Sequence, residues 1–144
     1  MKLLGIDPGL RNTGWGVIET DGNRIIYLGD GAVTSDPSLS LAERLVQLHD
    51  GLLSVIERFQ PKEAAVEETF VNVNPSSTLK LGQARGIALF VPSKSGISVS
   101  EYSPNLVKKS LVGSTAVLRV LFSVRIGKVF GFVVRRPVLV PNCL

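Results

Sequence analysis

The pattern of apolar and polar positions near the N-terminus predicts three strands. Residues 3–6 are apolar apart from one glycine, and Asp7 follows them directly. A proline and a glycine then end the strand and turn the chain. Residues 13–19 and 24–33 have two further strand patterns, and an Asp-Gly-Asn hairpin turn separates them. The sequence therefore predicts an antiparallel meander whose first strand ends in a carboxylate.

A long amphipathic helix is predicted after this meander. Ser40 and Glu43 form a capping box, which is a helix-start signal. Apolar residues then recur at steps of three and four over about five helical turns, and the pattern ends before Pro61. The residues of this stripe are Leu41, Leu45, Leu48, Leu52, Val55 and Phe59. We expect the helix to cover one face of a sheet.

Residues 63–68 predict a short strand that follows this helix and lies parallel to the first strand through a right-handed crossover. Its end carries two adjacent acids, Glu67 and Glu68, whose side chains must point to opposite faces of the sheet. One of them is therefore expected beside Asp7. Asp7 itself has two interpretations: it caps the following turn, or it binds a divalent cation together with its neighbour.

A second helix is predicted over residues 78–91, with Ser76 or Ser77 at its start. It is unusually rich in small residues, which are Gly82, Ala84, Gly86 and Ala88. Small residues at this density indicate close packing. The partner is either the sheet of the same chain or a second subunit, and the sequence leaves both open.

Residues 97–102 alternate in polarity and predict another strand. Ser103 and the proline after it are typical of a helix start, and a short helix is expected over residues 105–112. This helix exposes Lys108 and Lys109. Lysines of this kind either form a solvated face or bind phosphate at the edge of a carboxylate cleft.

Composition places the chain among ordinary one-domain globular proteins, with 44% hydrophobic and 19% charged residues. The single cysteine, Cys143, excludes an internal disulfide and fits a reducing, cytoplasmic setting. His49 is the only histidine, so we expect no zinc site of the Cys/His type. The apolar run at the N-terminus is too short for a signal peptide, and no membrane association is expected.

Positive charge is concentrated at the C-terminal end. Residues 113–144 contain five basic and no acidic residues, so the formal charge of +4 comes entirely from this segment. It shows no clean period of 2 or 3.6, and its basic residues exclude a transmembrane helix. We interpret residues 114–144 as a Val/Arg-rich tail that does not belong to the preceding fold, of the kind that a frameshift near codon 113 would produce.

Several motifs occur in the order known from one protein family. They are Gly5-Ile6-Asp7-Pro8-Gly9 with Thr13-Gly14-Trp15-Gly16, Ala65-Val66-Glu67-Glu68-Thr69-Phe70, Leu79-Lys80-Leu81-Gly82-Gln83-Ala84-Arg85-Gly86, and Val107-Lys108 with Leu111-Val112-Gly113. On these residues the chain resembles the RuvC family of Holliday-junction resolvases, in the ribonuclease-H-like superfamily. The resemblance covers residues 1–113, and the Leu-Gly-Gln-Ala-Arg-Gly segment is its most specific part.

The resemblance implies an α/β fold with a mixed five-stranded sheet flanked by helices. It implies that Asp7 and Glu67 are catalytic metal ligands for Mg²⁺, with Mn²⁺ as substitute and two ions in the complete family site. It further implies that Phe70 packs against junction bases and that Lys108 contacts DNA near the scissile phosphate. Arg85 is either structural or a phosphate contact. The implied partners are four-way junction DNA, a second copy of the chain and a branch-migration helicase complex, all in the cytoplasm.

The chain departs from the family at its C-terminal end. The family completes its site with two aspartates on a helix near the C-terminus, whereas no residue after Glu101 is acidic here. We therefore expect the final covering helix to be missing or altered and the nuclease activity to be impaired. The alternatives are a non-catalytic junction-binding protein, a misfolded truncated product, or a sugar-kinase-like ATPase that grips phosphate at the first strand end.

Overall fold

The computed structural model describes residues 1–21, 24–69 and 73–103. Within these ranges, strands and helices follow one another as β1 (Lys2–Asp7), β2 (Asn12–Asp21), β3 (Arg24–Thr34), α1 (Leu41–Phe59), β4 (Glu63–Glu67), α2 (Pro75–Lys94) and β5 (Ser98–Tyr102). All the strands and helices that were predicted in the described ranges are present. Their ends match the prediction or differ from it by at most three residues.

The strands form one mixed sheet in the order β3-β2-β1-β4-β5. The meander is antiparallel, whereas β4 is parallel to β1 and β5 is parallel to β4. Each parallel pair is joined through a helix, because parallel neighbours need a long crossover connection. The predicted α/β fold with a mixed five-stranded, ribonuclease-H-like sheet is thus confirmed, and β1 occupies its centre.

Both helices of the described residues pack on the same face of the sheet. The core there combines inward-pointing residues of β1, β2 and β4 with one side of each helix. Its buried members are Leu4, Ile6, Val17, Leu52, Val55, Ile56, Ala64, Val66, Ala88 and Val91. Residues of β1 that alternate with Leu4 and Ile6 must therefore point to the other face.

That other face carries a smaller apolar cluster of Leu3 and Ile18, with Ile25 packed against it. Within the described residues, no helix contributes to this cluster. The predicted short helix over residues 105–112, the altered covering helix and the tail of residues 114–144 all lie outside the described residues. No helix in the described ranges is apolar over enough of its length to cross a membrane.

Helix α1 begins where its capping box predicts. The Ser40 hydroxyl accepts from the Glu43 backbone N–H at 3.3 Å, and the Glu43 carboxylate accepts from the Ser40 backbone N–H at 2.9 Å. The Ser40 hydroxyl also donates to the Glu43 carboxylate at 2.6 Å, and this hydrogen bond, together with the one from the Ser40 backbone N–H, holds the pKa of the Glu43 carboxyl below its ordinary value. The helix ends at Phe59 because Gln60 adopts a left-handed conformation, with φ at 52°.

The start of α2 was predicted wrongly. The helix begins at Pro75 rather than at residue 78, and Asn74 is its N-cap, where Ser76 or Ser77 had been expected. The Asn74 side chain accepts from the backbone N–H groups of both serines. Proline suits the first helical position, because its missing N–H would have no partner there. The helix also continues through Pro92 to Lys94, past its expected end at residue 91.

Candidate functional site

Asp7 is the last residue of the central strand. Its backbone is flanked by Gly14 of β2 on one side and by the end of β4 on the other. The chain leaves the sheet at Pro8, which cannot donate to a strand ladder. Asp7 is half-buried. The sequence of β1 thus delivers one carboxylate to the edge at which the parallel strands end.

Glu67 ends β4 at the same edge. The parallel register pairs Gly5 with Ala65 and Ile6 with Val66, so the next step along both strands brings Glu67 level with Asp7. Neighbouring strands lie about 4.8 Å apart, and side chains at equivalent positions share a face. Both carboxylates therefore lie in one row on the face opposite the helices. Glu68, one residue further, is exposed.

Glu67 is buried, with only 7% of its surface exposed. A carboxylate at that depth needs hydrogen bonds or a cation to offset the cost of losing its water. Oxygen donors of this kind are the ligands that Mg²⁺ and Mn²⁺ prefer. The donor chemistry of the Asp7 and Glu67 pair therefore fits a hard divalent cation.

In the described part of the chain, the candidate metal ligands at this edge of the sheet are these two carboxylates. No group of three or more histidine, cysteine, aspartate or glutamate side chains lies close enough there to hold a metal ion. A cation held by Asp7 and Glu67 would therefore take its other ligands from water or substrate oxygens.

The turn that follows Asp7 is tightly built. The Thr13 hydroxyl donates to the Gly9 carbonyl at 2.8 Å and accepts from the Gly9 N–H at 3.3 Å, and Thr13 is almost fully buried. A Cβ on Gly9 would lie 2.3 Å from the Asn12 carbonyl oxygen, so only glycine fits this position. This role of Thr13 was not predicted, because a hydroxyl next to a glycine-rich strand gives no distinctive signal in the sequence.

Arg85 lies away from the carboxylate pair. Its guanidinium forms an ion pair with Glu101 of β5, and each of these side chains is about one-third exposed. Glu101 is level with Val66, a residue whose side chain belongs to the core under the helices. Arg85 therefore lies on the helix-covered side of the sheet, opposite Asp7. This contact matches its structural interpretation, and the phosphate contact stays a prediction.

Two other predicted site residues, Phe70 and Lys108, lie outside the described residues. The structure therefore brings together Asp7 and Glu67 among the predicted residues and separates Arg85 from them. The domain boundary expected at residue 113 also stays a prediction.

The chain is similar in sequence to a known protein family over a region that includes Asp7 and Glu67. The family model described as "Crossover junction endodeoxyribonuclease RuvC" matches residues 3–124. The protein of that name from Paramagnetospirillum magneticum is 63% identical over 114 residues, which are 79% of this chain and 69% of the relative. Its counterpart from Rhodospirillum rubrum is 61% identical over 114 residues, 79% of this chain and 68% of the relative.

The fold of the chain is also similar to a solved structure of a RuvC protein. Thermus thermophilus RuvC in complex with a Holliday junction substrate superposes with a TM-score of 0.72 at 34% sequence identity. The superposition covers 87% of this chain and 78% of the solved chain.

Proposed function

Since the chain belongs to the family of the crossover junction endodeoxyribonucleases RuvC, we propose that it acts on four-way DNA junctions. The reaction is the resolution of Holliday junctions in recombination and repair by symmetrical nicks. The observation that carries this proposal is the row formed by Asp7 and Glu67 at the edge of the parallel strands. A sugar-kinase-like ATPase is not supported, because the family match covers most of the chain.

The two carboxylates are the proposed metal ligands. Asp7 and Glu67 would hold Mg²⁺, with Mn²⁺ as substitute, and the complete family site would take two ions. A divalent cation bound there supplies positive charge that activates a water molecule and stabilises the leaving oxygen of a phosphodiester. The chain's own contribution is to fix the carboxylates through the β1 and β4 backbone ladder. Phe70 is proposed to pack against junction bases and Lys108 to contact the DNA backbone.

The activity of this chain is proposed to be impaired. Residues 102–144 contain no aspartate or glutamate that could complete the ligand set. With fewer ligands, the charge that develops during cleavage is compensated less well, and losing such stabilisation costs about a hundredfold or more in rate. The alternatives are a protein that binds junctions without cleaving them and a misfolded product.

The exposed side of helix α2 supports the proposal that the chain forms a homodimer. Its inner side packs Ala84 and Ala88 into the core, yet its outer side carries two exposed apolar residues, Leu79 at 65% and Phe90 at 51% exposure. Gly82 lies on the same outer side, and a Cβ added to it would meet nothing within 4 Å. Small residues between larger apolar ones let a second helix approach closely. We therefore propose that the outer face of α2 is the dimer interface.

The cellular setting is proposed on general grounds. We place the protein in the cytoplasm, together with a branch-migration helicase complex that moves the junction before it is resolved.

Junction selectivity tests the proposed function. Fluorescence anisotropy compares binding of the 144-residue chain to a labelled four-way junction and to a linear duplex with the same arm sequence. We expect at least tenfold tighter binding to the junction, and slow nicking in Mn²⁺ that Asp7→Asn abolishes. Equal affinity for junction and duplex would overturn the proposal. Nicking as fast as that of a relative with a complete site would overturn the impairment, and thermal unfolding without a cooperative transition would favour the misfolded product.

A further inference from the structure

A buried serine touches the turn that follows the carboxylate strand. Ser35 comes directly after the end of β3 and is only 5% exposed. Its backbone N–H donates to the Arg11 carbonyl at 3.0 Å, and its hydroxyl donates to the Leu10 carbonyl at 2.5 Å. Ser35 thus binds two successive carbonyl groups, three and four residues after Asp7.

An arginine of α1 supports this serine. The Arg44 Nε donates to the Ser35 hydroxyl oxygen at 3.0 Å. The Ser35 hydroxyl therefore donates its only proton to the Leu10 carbonyl in the turn and accepts a hydrogen bond from Arg44 of α1. Arg44 lies in the first turn of α1, whose N-terminus is held by the Ser40 and Glu43 capping box. We refer to Ser35 together with Arg44 as the Ser35 brace.

The brace and Thr13 hold the turn from two sides. Thr13 binds the Gly9 backbone, and Ser35 binds Leu10 and Arg11. The β2–β3 pairing explains why Ser35 is in place, because Asn12 at the end of the turn is paired with Thr34. The turn is thereby connected to β2 through Thr13 and to α1 through Ser35 and Arg44.

We propose that Ser35, supported by Arg44, is a positioning residue that fixes the carboxylate of Asp7 through the turn over residues 8–11. This inference rests on the proposed function, in which Asp7 is a metal ligand. Asp7 is the last residue that β1 holds in the sheet, so the direction in which the chain leaves decides the placement of its backbone. Ligand geometry tolerates only about 0.5 Å of error. A loosened turn therefore weakens cation binding even when both carboxylates are retained.

Cation binding to Ser35 variants tests the proposal. Electron paramagnetic resonance measures free Mn²⁺ in titrations of the full 144-residue chain, with Asp7→Asn as the reference for a lost ligand. We expect Ser35→Ala to weaken Mn²⁺ binding about fivefold or more, and Ser35→Thr, which keeps the hydroxyl, to restore it. The matched control is Ser95→Ala, because Ser95 also donates its hydroxyl to a backbone carbonyl, that of Val91 at 2.9 Å, but lies at the end of α2. Its Mn²⁺ affinity should equal that of the unchanged chain.

Hydrogen–deuterium exchange separates this inference from the proposed function. We expect Ser35→Ala to speed exchange in a peptide covering residues 8–13, whereas Ser95→Ala leaves it unchanged. If Asp7→Asn binds Mn²⁺ as well as the unchanged chain, or neither binds it, the proposed metal site fails, and faster exchange in Ser35→Ala still supports the brace. Equal exchange in both serine variants overturns the role of Ser35. When Asp7→Asn lowers the Mn²⁺ affinity, an Mn²⁺ affinity of Ser35→Ala equal to that of Ser95→Ala also overturns it.

Discussion

Tyr27 on the edge strand β3 is the residue whose ionisation is most clearly set by its surroundings. Its hydroxyl donates to Asp30 Oδ1 at 2.5 Å. Partial burial, that hydrogen bond and the negative charge of Asp30 together raise the pKa of Tyr27 to about 12. The neutral phenol is therefore the form that the folded chain favours.

This shift predicts a loss of stability at high pH. Because the folded pKa lies above the ordinary value of about 10, the stabilisation is complete below pH 10 and is lost as the pH rises toward 12. In Tyr27→Phe, the free energy of unfolding in urea should change less between pH 8 and pH 11. Absorbance at 295 nm should lose its most alkaline transition in this variant. If the alkaline transition persists in Tyr27→Phe, the assignment is wrong.

The adjacent acids Glu67 and Glu68 show how far the orientation of a single side chain can be predicted from the sequence. Alternation along a strand establishes that Glu67 and Glu68 face opposite ways, but it does not say which of them faces Asp7. That choice depends on the register between β1 and β4, which are far apart in the sequence. Ser35 was missed for the same reason, because its partners Leu10 and Arg44 meet it only in the folded chain.

The two helices differ in how much of their start and their buried side can be predicted from neighbouring residues in the sequence. For α1, the capping box and a single apolar stripe are both visible in the sequence, so its start was predicted correctly. Leu48, Leu52 and Val55 of the predicted stripe are buried, whereas Leu41 is exposed and Ile56, outside the stripe, is buried. For α2, the capping Asn74 is followed by a proline, and apolar residues occur on both sides of the helix. A helix with two apolar sides gives a weak periodic signal. Its start was therefore misplaced, and its partner could not be decided.

The outer face of α2 makes a prediction about oligomeric state. Phe90→Asp places a charge in the proposed interface and should convert a dimer into a monomer in analytical ultracentrifugation. The matched control is Val46→Asp on α1, where the valine is similarly exposed, at 57% against 51% for Phe90. This control should remain dimeric. A monomer for the unchanged chain, or dissociation in both variants, would contradict the proposed interface.

At the scale of the whole molecule, the two proposed functional surfaces lie on opposite sides of one sheet. The Asp7 and Glu67 row faces away from the helices, and α2 covers the other side. A dimer formed through α2 would therefore leave both carboxylate rows free to meet DNA, as two symmetrical nicks require. The basic pI is no guide here, since residues 1–112 alone carry 11 basic and 12 acidic residues.

Mn²⁺ binding to Glu67→Gln and Glu68→Gln tests whether Asp7 and Glu67 form the cation site. The two variants make the same chemical change at neighbouring positions, one buried beside Asp7 and one exposed. We expect Glu67→Gln to weaken Mn²⁺ binding at least tenfold, because it removes one of two charged ligands, and Glu68→Gln to bind like the unchanged chain. Equal Mn²⁺ affinities for the two variants would mean that Glu67 is not a ligand of the cation.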